Sequence, residues 1–257
     1  GAFVAWLARD GKAPSTIGRR VAGVTVTLRE RGVEVPKLVT KKTTELLNAY
    51  QRELDEAGEQ RGRGEAPLVS KRELRRLSEA CPDTLAGLRD RAALLVGFGI
   101  AARSAEMAGL LARDITEHEE GLTVHVRYGK TGARKVAISR GSHPLTDAVT
   151  HWQIWQETAR LVPGGPAFLQ IGRYDNPRGK MSAQAFNFML SRACERAGVS
   201  PKTWHGLRSG LATEARAEGH GLEVIAAQGG WKFNSRVLAN YLRNTDQWRK
   251  NATKGVM

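Results

Sequence analysis

Residues 85–100, LAGLRDRAALLVGFGI, limit the possible architectures more than any other run in the chain. Their apolar side chains fall on every side of a helical wheel, and a helix apolar all round is buried rather than laid on a surface. Leu85–Ile100 is therefore expected as a mostly buried helix that other elements must cover. The neighbouring patterns are helical almost throughout. Phe3, Val4 and Leu7 fit one face of a helix that ends at Gly11, and Pro14-Ser15-Thr16 opens a second that stops at Arg31-Gly32. Lys41 to Ala57 gives a third, with Leu46, Leu47, Tyr50 and Leu54 at helical spacing. Gly58 to Ala66 has no apolar period and reads as an exposed linker. Ser70-Lys-Arg-Glu73 is a capping-box pattern that restarts helix, with Leu74 and Leu77 facing inward.

One segment changes period. Leu122, Val124, Val126 and Tyr128 alternate with polar residues, as in a half-buried strand that packs Tyr128 inward, and Val136 and Ile138 repeat the pattern. Gly129-Lys130-Thr131-Gly132 between them makes a hairpin with a lysine at its tip. Thr146–Leu161 and Ser182–Ala197 read as amphipathic helices, the second capped by Ser182, separated by a long loop from Val162 to Lys180. The fold class is thus mainly α with a small antiparallel β-sheet. A helical domain is expected over residues 1–60 and an α+β domain over 66–257.

Lysine and arginine outnumber acids 40 to 26, a formal charge of +14 over 257 residues. Such an excess favours a polyanionic partner, because each neutralised phosphate releases condensed counterions. No apolar run approaches the roughly 20 residues that span a bilayer, and no charged-then-apolar leader opens the chain, so a membrane role is not expected. Cys81 and Cys194 are the only cysteines and sit in no ligand-spaced cluster; a reduced setting and no structural zinc follow as expectations. The sequence starts inside a helical pattern, which predicts a truncated N-terminus with Gly1 as a cloning remnant.

Thr203 to Arg243 is the stretch richest in chemistry. It reads as a helix carrying His205 and Arg208, a short helix, a Gly-Gly-Trp turn and a last helix bearing Tyr241. Three residues apart, His205 and Arg208 share a helix face and can converge on one anion. Taken alone, the same pair also describes a half-buried histidine beside a surface arginine. Arg103, just after the buried run, is either a surface charge or a cation held beside a ligand. Lys130 at a hairpin tip is either solvated or functional.

Together, His205-Gly-Leu-Arg208, Gly229-Gly-Trp231 and Asn240-Tyr241-Leu-Arg243, with Arg103-Ser-Ala-Glu106 and Lys130 upstream, resemble the catalytic core of the tyrosine recombinase (phage integrase) family, most closely its Cre-type members. The resemblance covers most of the chain. It implies a helical core-binding domain that clamps DNA, followed by a catalytic domain with a C-terminal tail. It implies site-specific recombination through a 3′-phosphotyrosyl intermediate and a Holliday junction, without metal, ATP or other cofactor. The implied partner is double-stranded DNA with inverted-repeat target sites, bound as a dimer per site and a homo-tetramer on two sites, the tail docking on a neighbour. Implied too is a cytoplasmic, nucleoid-associated setting in a bacterial or phage system. By resemblance Tyr241 is the nucleophile, Arg103 and Arg208 clamp the phosphate, Lys130 is the general acid, His205 assists proton transfer, Trp231 takes a position that holds His or Trp, and Glu106 orients neighbouring cations.

The residues themselves are suited to such work. A phenol has a reference pKa of about 10 and needs help to attack. Two guanidiniums both neutralise a phosphodiester and stabilise its five-coordinate transition state. Trp231 is a donor only and cannot act as a base. Nothing offers the close carboxylate cluster of a two-metal nuclease. Tyr128 and Tyr174 are rival nucleophiles, but neither follows a Gly-Gly-Trp turn. Trp231 and Tyr241 are ten apart, one residue longer than the usual family interval. Two other functions fit the same residues: a type IB topoisomerase and a catalytically idle DNA-binding protein.

Overall fold

A computed structural model describes residues 1–62, 64, 66–129, 132–233, 235 and 237–242. The chain divides into two compact units, Gly1–Glu65 and Ala66–Met257.

The first unit is a three-helix assembly of α1 (Ala2–Arg9), α2 (Pro14–Glu30) and α3 (Lys37–Glu56). Val4, Leu7 and Ile17 form its buried centre, with Leu47 and Tyr50 of α3 packed against them. The Tyr50 hydroxyl lies 3.3 Å from the carbonyls of Ala8 and Lys12, and Arg61 donates to it at 2.6 Å, which ties both helix connections together. Two expectations need correction. Phe3 does not join Val4 and Leu7 but is 42% exposed, stacked on Trp6 at 6.3 Å, and Leu46 is likewise exposed. The third helix starts at Lys37 rather than Lys41, because Pro36 already presets the entry; its first turn, with exposed Leu38 and Val39, lies off the apolar stripe.

The second unit is organised on α5 (Leu85–Gly99), whose residues Ala92 to Val96 are all buried. It packs against α4 (Lys71–Glu79), α7 (Ala148–Thr158), α8 (Ala183–Ala197) and α9 (Trp204–Ala217). The start of α4 is fixed by the full capping box: Glu73 accepts from Ser70 N at 2.9 Å while Ser70 Oγ accepts from Glu73 N at 3.2 Å. Ser182 caps α8 by accepting from Ala185 N, and Gly198 in the left-handed region ends it. An aromatic chain runs from Trp152 through Phe168 and Phe186 to Trp204, with ring centroids 5.0–6.0 Å apart, and stitches α7, α8 and α9 together. α5 and α9 approach closely: a Cβ on Gly97 would lie 2.4 Å from Trp204 Cζ2.

The sheet has three antiparallel strands, β1 (Ile115–His118), β2 (Gly121–Val126) and β3 (Arg134–Ser139), with Leu122 opposite Ile138 and Val124 opposite Val136. The hairpin is the expected one, but β1 is additional; only Ile115 of its four residues is buried, so no alternation announces it. Tyr128 lies beyond the end of β2 and is 78% exposed under the Arg127 guanidinium, correcting the expectation that it packs inward. The segment from Val162 to Lys180 is not wholly a loop. It contains a small hairpin, β4 (Leu169–Ile171) with β5 (Pro177–Lys180), turning through Asp175 at φ 52°.

After α9 come α10 (Leu222–Gly229), a left-handed Gly230 at φ 63°, and a helical stretch over 237–242. Ala212, Ile225, Ala226, Leu238 and Leu242 form a second small core there. The expected tail after Tyr241, residues 243–257, falls outside the described residues. Among the described residues, no helix is long and apolar enough to cross a membrane, and no group of three or more His, Cys, Asp or Glu is placed to hold a metal ion.

Candidate active site

The site is built on the end of α5. A helix leaves its last carbonyls without intrahelical partners, and here the chain turns through a Schellman arrangement: Ala102 N bonds Gly97 O and Ala101 N bonds Phe98 O, both at 2.9 Å. The left-handed residue is Ala101, φ 46°, where glycine is usual; an L side chain there costs on the order of 1 kcal/mol. Four successive carbonyls are left pointing outward, and each is claimed by a side chain from one of three elements, α9, α10 and β3. Gln228 of α10 donates to Gly99 O at 2.7 Å, Arg134 of β3 to Ile100 O at 3.2 Å, Arg208 of α9 to Ala101 O, and Trp204 of α9 to Ala102 O at 3.1 Å. The negative end of the helix dipole thus receives two guanidiniums, an amide and an indole.

Arg208 is only 1% exposed. Its Nη1 donates to Ala101 O and also to Gly229 O at 2.6 Å, and its guanidinium carbon lies over the Trp231 ring, 3.8 Å from the centroid. Its Nη2 is buried without a hydrogen-bond partner among the described residues. Burial, followed by the charge of Arg103, pulls its pKa down to about 9, which leaves it cationic at neutral pH. A buried cation with an unused donor is what an anion site requires.

His205, one turn earlier on α9, is exposed at its edge and has Nε2 2.5 Å from the Tyr241 hydroxyl. Desolvation first, then the charges of Arg208 and Arg103, push its pKa below the ordinary histidine value. A neutral ring of this kind can accept the phenolic hydrogen at Nε2. Tyr241 stands between two rings, with His205 at 5.7 Å and Trp231 at 6.1 Å, both edge-on. The extra residue in the Trp231–Tyr241 interval therefore does not carry the phenol away from the histidine.

Arg103 opens α6 (Ser104–Gly109), and Glu106 in its first turn reaches back to Arg103 N at 3.0 Å. The same carboxylate holds the Arg103 guanidinium through Oε1 at 2.6 Å and that of Arg134 through Oε2 at 2.8 Å. Burial would raise the Glu106 pKa, but the hydrogen bonds from Arg134 and Arg103 outweigh it and keep the carboxyl below its usual range. The Arg103 side chain is 30% exposed, so its outer face remains open to a ligand.

Of the residues singled out in the sequence, Arg103, Glu106, His205, Arg208, Trp231 and Tyr241 come together around the end of α5. Trp231 serves as the platform under Arg208. Lys130 falls outside the described residues, although Gly129 before it borders the cluster: a Cβ there would lie 3.4 Å from both Glu106 Oε1 and Arg134 Nη1. Tyr128 and Tyr174 are 78% and 83% exposed beside Arg127 and Arg173, without the histidine partner that Tyr241 has. Sequence reasoning missed Arg134 and Gln228. A signal for Arg134 existed: it shares its strand face with Val136 and Ile138, and a cation on an inward face needs a partner.

A model of the phage integrase family matches residues 68–247. The chain is 24% identical over 178 residues to the integrase/recombinase XerD homolog of Selenomonas ruminantium, a match covering 66% of this chain and 51% of the relative. It therefore spans about half the length of that curated relative. Among solved structures it is similar to XerA recombinase, with a TM-score of 0.56 and 18% identity over 93% of this chain and 83% of the other. It is also similar to XerH site-specific recombinase bound to its palindromic difH substrate in a post-cleavage complex, with a TM-score of 0.52 and 18% identity over 75% and 56%. At such identities the structural likeness is one of fold.

Proposed function

The chain belongs to the phage integrase family, and from that premise we propose that it is a site-specific DNA recombinase that breaks and rejoins strands through a 3′-phosphotyrosyl intermediate and a Holliday junction. The observation that carries the reading is the Tyr241 hydroxyl hydrogen-bonded to His205 one helical turn from a buried Arg208 whose Nη2 has no partner among the described residues.

In this reading a backbone phosphate takes up the unused donor of Arg208 and the open face of Arg103. Neutralisation by two cations lets a phenol oxygen approach, and their charge answers the extra charge of the five-coordinate state. His205 accepts the phenolic proton as Tyr241 attacks phosphorus. The P–O5′ bond breaks, and the departing oxygen takes a proton from Lys130. The phosphotyrosyl ester keeps the bond energy, so a 5′ hydroxyl of another strand reverses the step without ATP or metal. Duplex DNA with inverted-repeat sites is the proposed partner, bound as a dimer per site and a tetramer on two sites. XerH bound to a palindromic substrate is a precedent for such symmetry. The helical unit Gly1–Glu65 is assigned to clamping DNA, and the enzyme acts where DNA is held, in a cytoplasmic, nucleoid-associated setting.

The test is trapping on nicked duplexes that tile the DNA flanking its gene, followed by peptide mapping. The expected result is a covalent adduct on Tyr241 that Tyr241→Phe abolishes while DNA binding persists. An unaltered chain that binds but never forms an adduct would leave only an idle DNA-binding protein. Relaxation of supercoiled plasmid that carries no flank sequence would point to a topoisomerase instead.

A further inference from the structure

We infer that Arg134 is a positioning residue of this site, acting through Glu106 on the aim of Arg103; the inference rests on the recombinase reading above. The two oxygens of Glu106 are divided between guanidiniums, Oε1 to Arg103 and Oε2 to Arg134. Glu106 is 3% exposed at its side chain and Arg134 9%, so the bridge is shielded from water and from salt. Arg103, in contrast, is held by a single carboxylate oxygen and is the most open of the three.

Arg134 also reaches Ile100 O, three residues before Arg103, with the same Nη2. With the Arg103 N–H, which donates to the same Oε2 at 3.0 Å, this nitrogen fixes the carboxylate relative to the backbone from which Arg103 departs. Without it, Oε2 keeps only the Arg103 N–H at 3.0 Å, and the carboxylate is free to swing toward the Arg103 guanidinium, toward the two-bond fork that guanidinium and carboxylate prefer. That fork would draw Arg103 inward, away from a ligand on its open face. Arg134 holds the pair to a single bond and leaves the remaining Arg103 donors outward. Its placement at the head of β3 gives this role to the β2–β3 hairpin. Gln228 braces the same strand through Ala137 O at 2.8 Å.

A residue that merely holds the fold would change stability and leave the chemistry of the folded fraction intact. The full chain is therefore compared with Arg134→Met, Arg134→Lys, Glu106→Gln and the Arg134→Met/Glu106→Gln double variant. Each is assayed for single-turnover adduct formation on the flank-derived nicked duplex, for affinity to that duplex, and for its urea midpoint. Arg134→Met is expected to slow cleavage on the order of 100-fold, as for a small misplacement of a reacting group, with affinity nearly unchanged. Arg134→Lys should recover part of the loss, since an ammonium can still engage Glu106. The double variant should be no slower than the worse single variant, because both act through one linkage.

Losses that multiply in the double variant would overturn the inference, as would normal cleavage by the folded fraction of Arg134→Met. If that variant fails to fold, a cleavage rate of Arg134→Lys equal to the unaltered chain's also overturns it. Normal cleavage by a variant leaves the recombinase reading standing, whereas no Tyr241 adduct from the unaltered chain removes both.

Discussion

Arg208→Lys is the most exacting test of the site, because it preserves charge and removes geometry. Arg208 uses Nη1 for two carbonyls, Ala101 O and Gly229 O, lies on the Trp231 ring at 3.8 Å, and keeps Nη2 in reserve. A lysine has one nitrogen for all these duties. If the ammonium stays with the carbonyls, the phosphate loses a preorganised donor, which costs about 3–4 kcal/mol or roughly 10²–10³-fold in cleavage rate. If it turns to the phosphate, two buried carbonyls are left unpaired at about 1–3 kcal/mol each, and the second unit is destabilised by about 2–6 kcal/mol. Loss of the cation–π contact adds about 1–2 kcal/mol in either case. The assay pairs single-turnover adduct formation with urea unfolding of the same preparation. DNA affinity should change little, because the number of phosphate-facing charges is conserved. A variant that cleaves at the unaltered rate and unfolds at the unaltered midpoint would refute the division of labour between Nη1 and Nη2.

Gly97→Ala should lower the urea midpoint, since its Cβ would sit 2.4 Å from Cζ2 of Trp204, a ring only 1% exposed and pinned to Ala102 O. Overpacking of about 1–3 kcal/mol there exceeds the gain in helix propensity of about 1 kcal/mol, and a raised midpoint would contradict the close approach of α5 and α9. His205 has a folded-state pKa below its ordinary value of about 6.5, so the unfolded imidazole binds a proton first as pH falls. Stability present above about pH 6.5 is then lost as pH drops toward the lower folded value. His205→Gln should flatten that loss in urea titrations; His151, whose pKa is also lowered by burial, accounts for a remainder. An equal loss with and without His205 would exclude the coupling.

Where one physical pattern dominated a segment, the sequence was readable. The all-round apolar run of α5, the Ser70–Glu73 box and the alternation of Leu122, Val124 and Val126 each correspond to a formed element. Short strands with little burial were not: β1 has one buried residue and β5 none, so their pairing comes from backbone bonds that side-chain periodicity does not report. The spacing of three put His205 and Arg208 on one face, but only the family resemblance joined them to Arg103 and Tyr241. Gln228 went unseen because its partners are backbone carbonyls, which leave no mark in local composition; the inward strand face of Arg134 signals a buried partner but not that the partner is the distant Glu106.

The four capped carbonyls at the end of α5 tie reactivity to architecture. Arg208, Arg134, Trp204 and Gln228 satisfy main-chain groups that would otherwise be stranded in the protein interior. A descendant that lost its Tyr241 chemistry would therefore keep these side chains for solidity alone. In proteins built this way the arginines mark the scaffold, and the phenol is the diagnostic of a living enzyme.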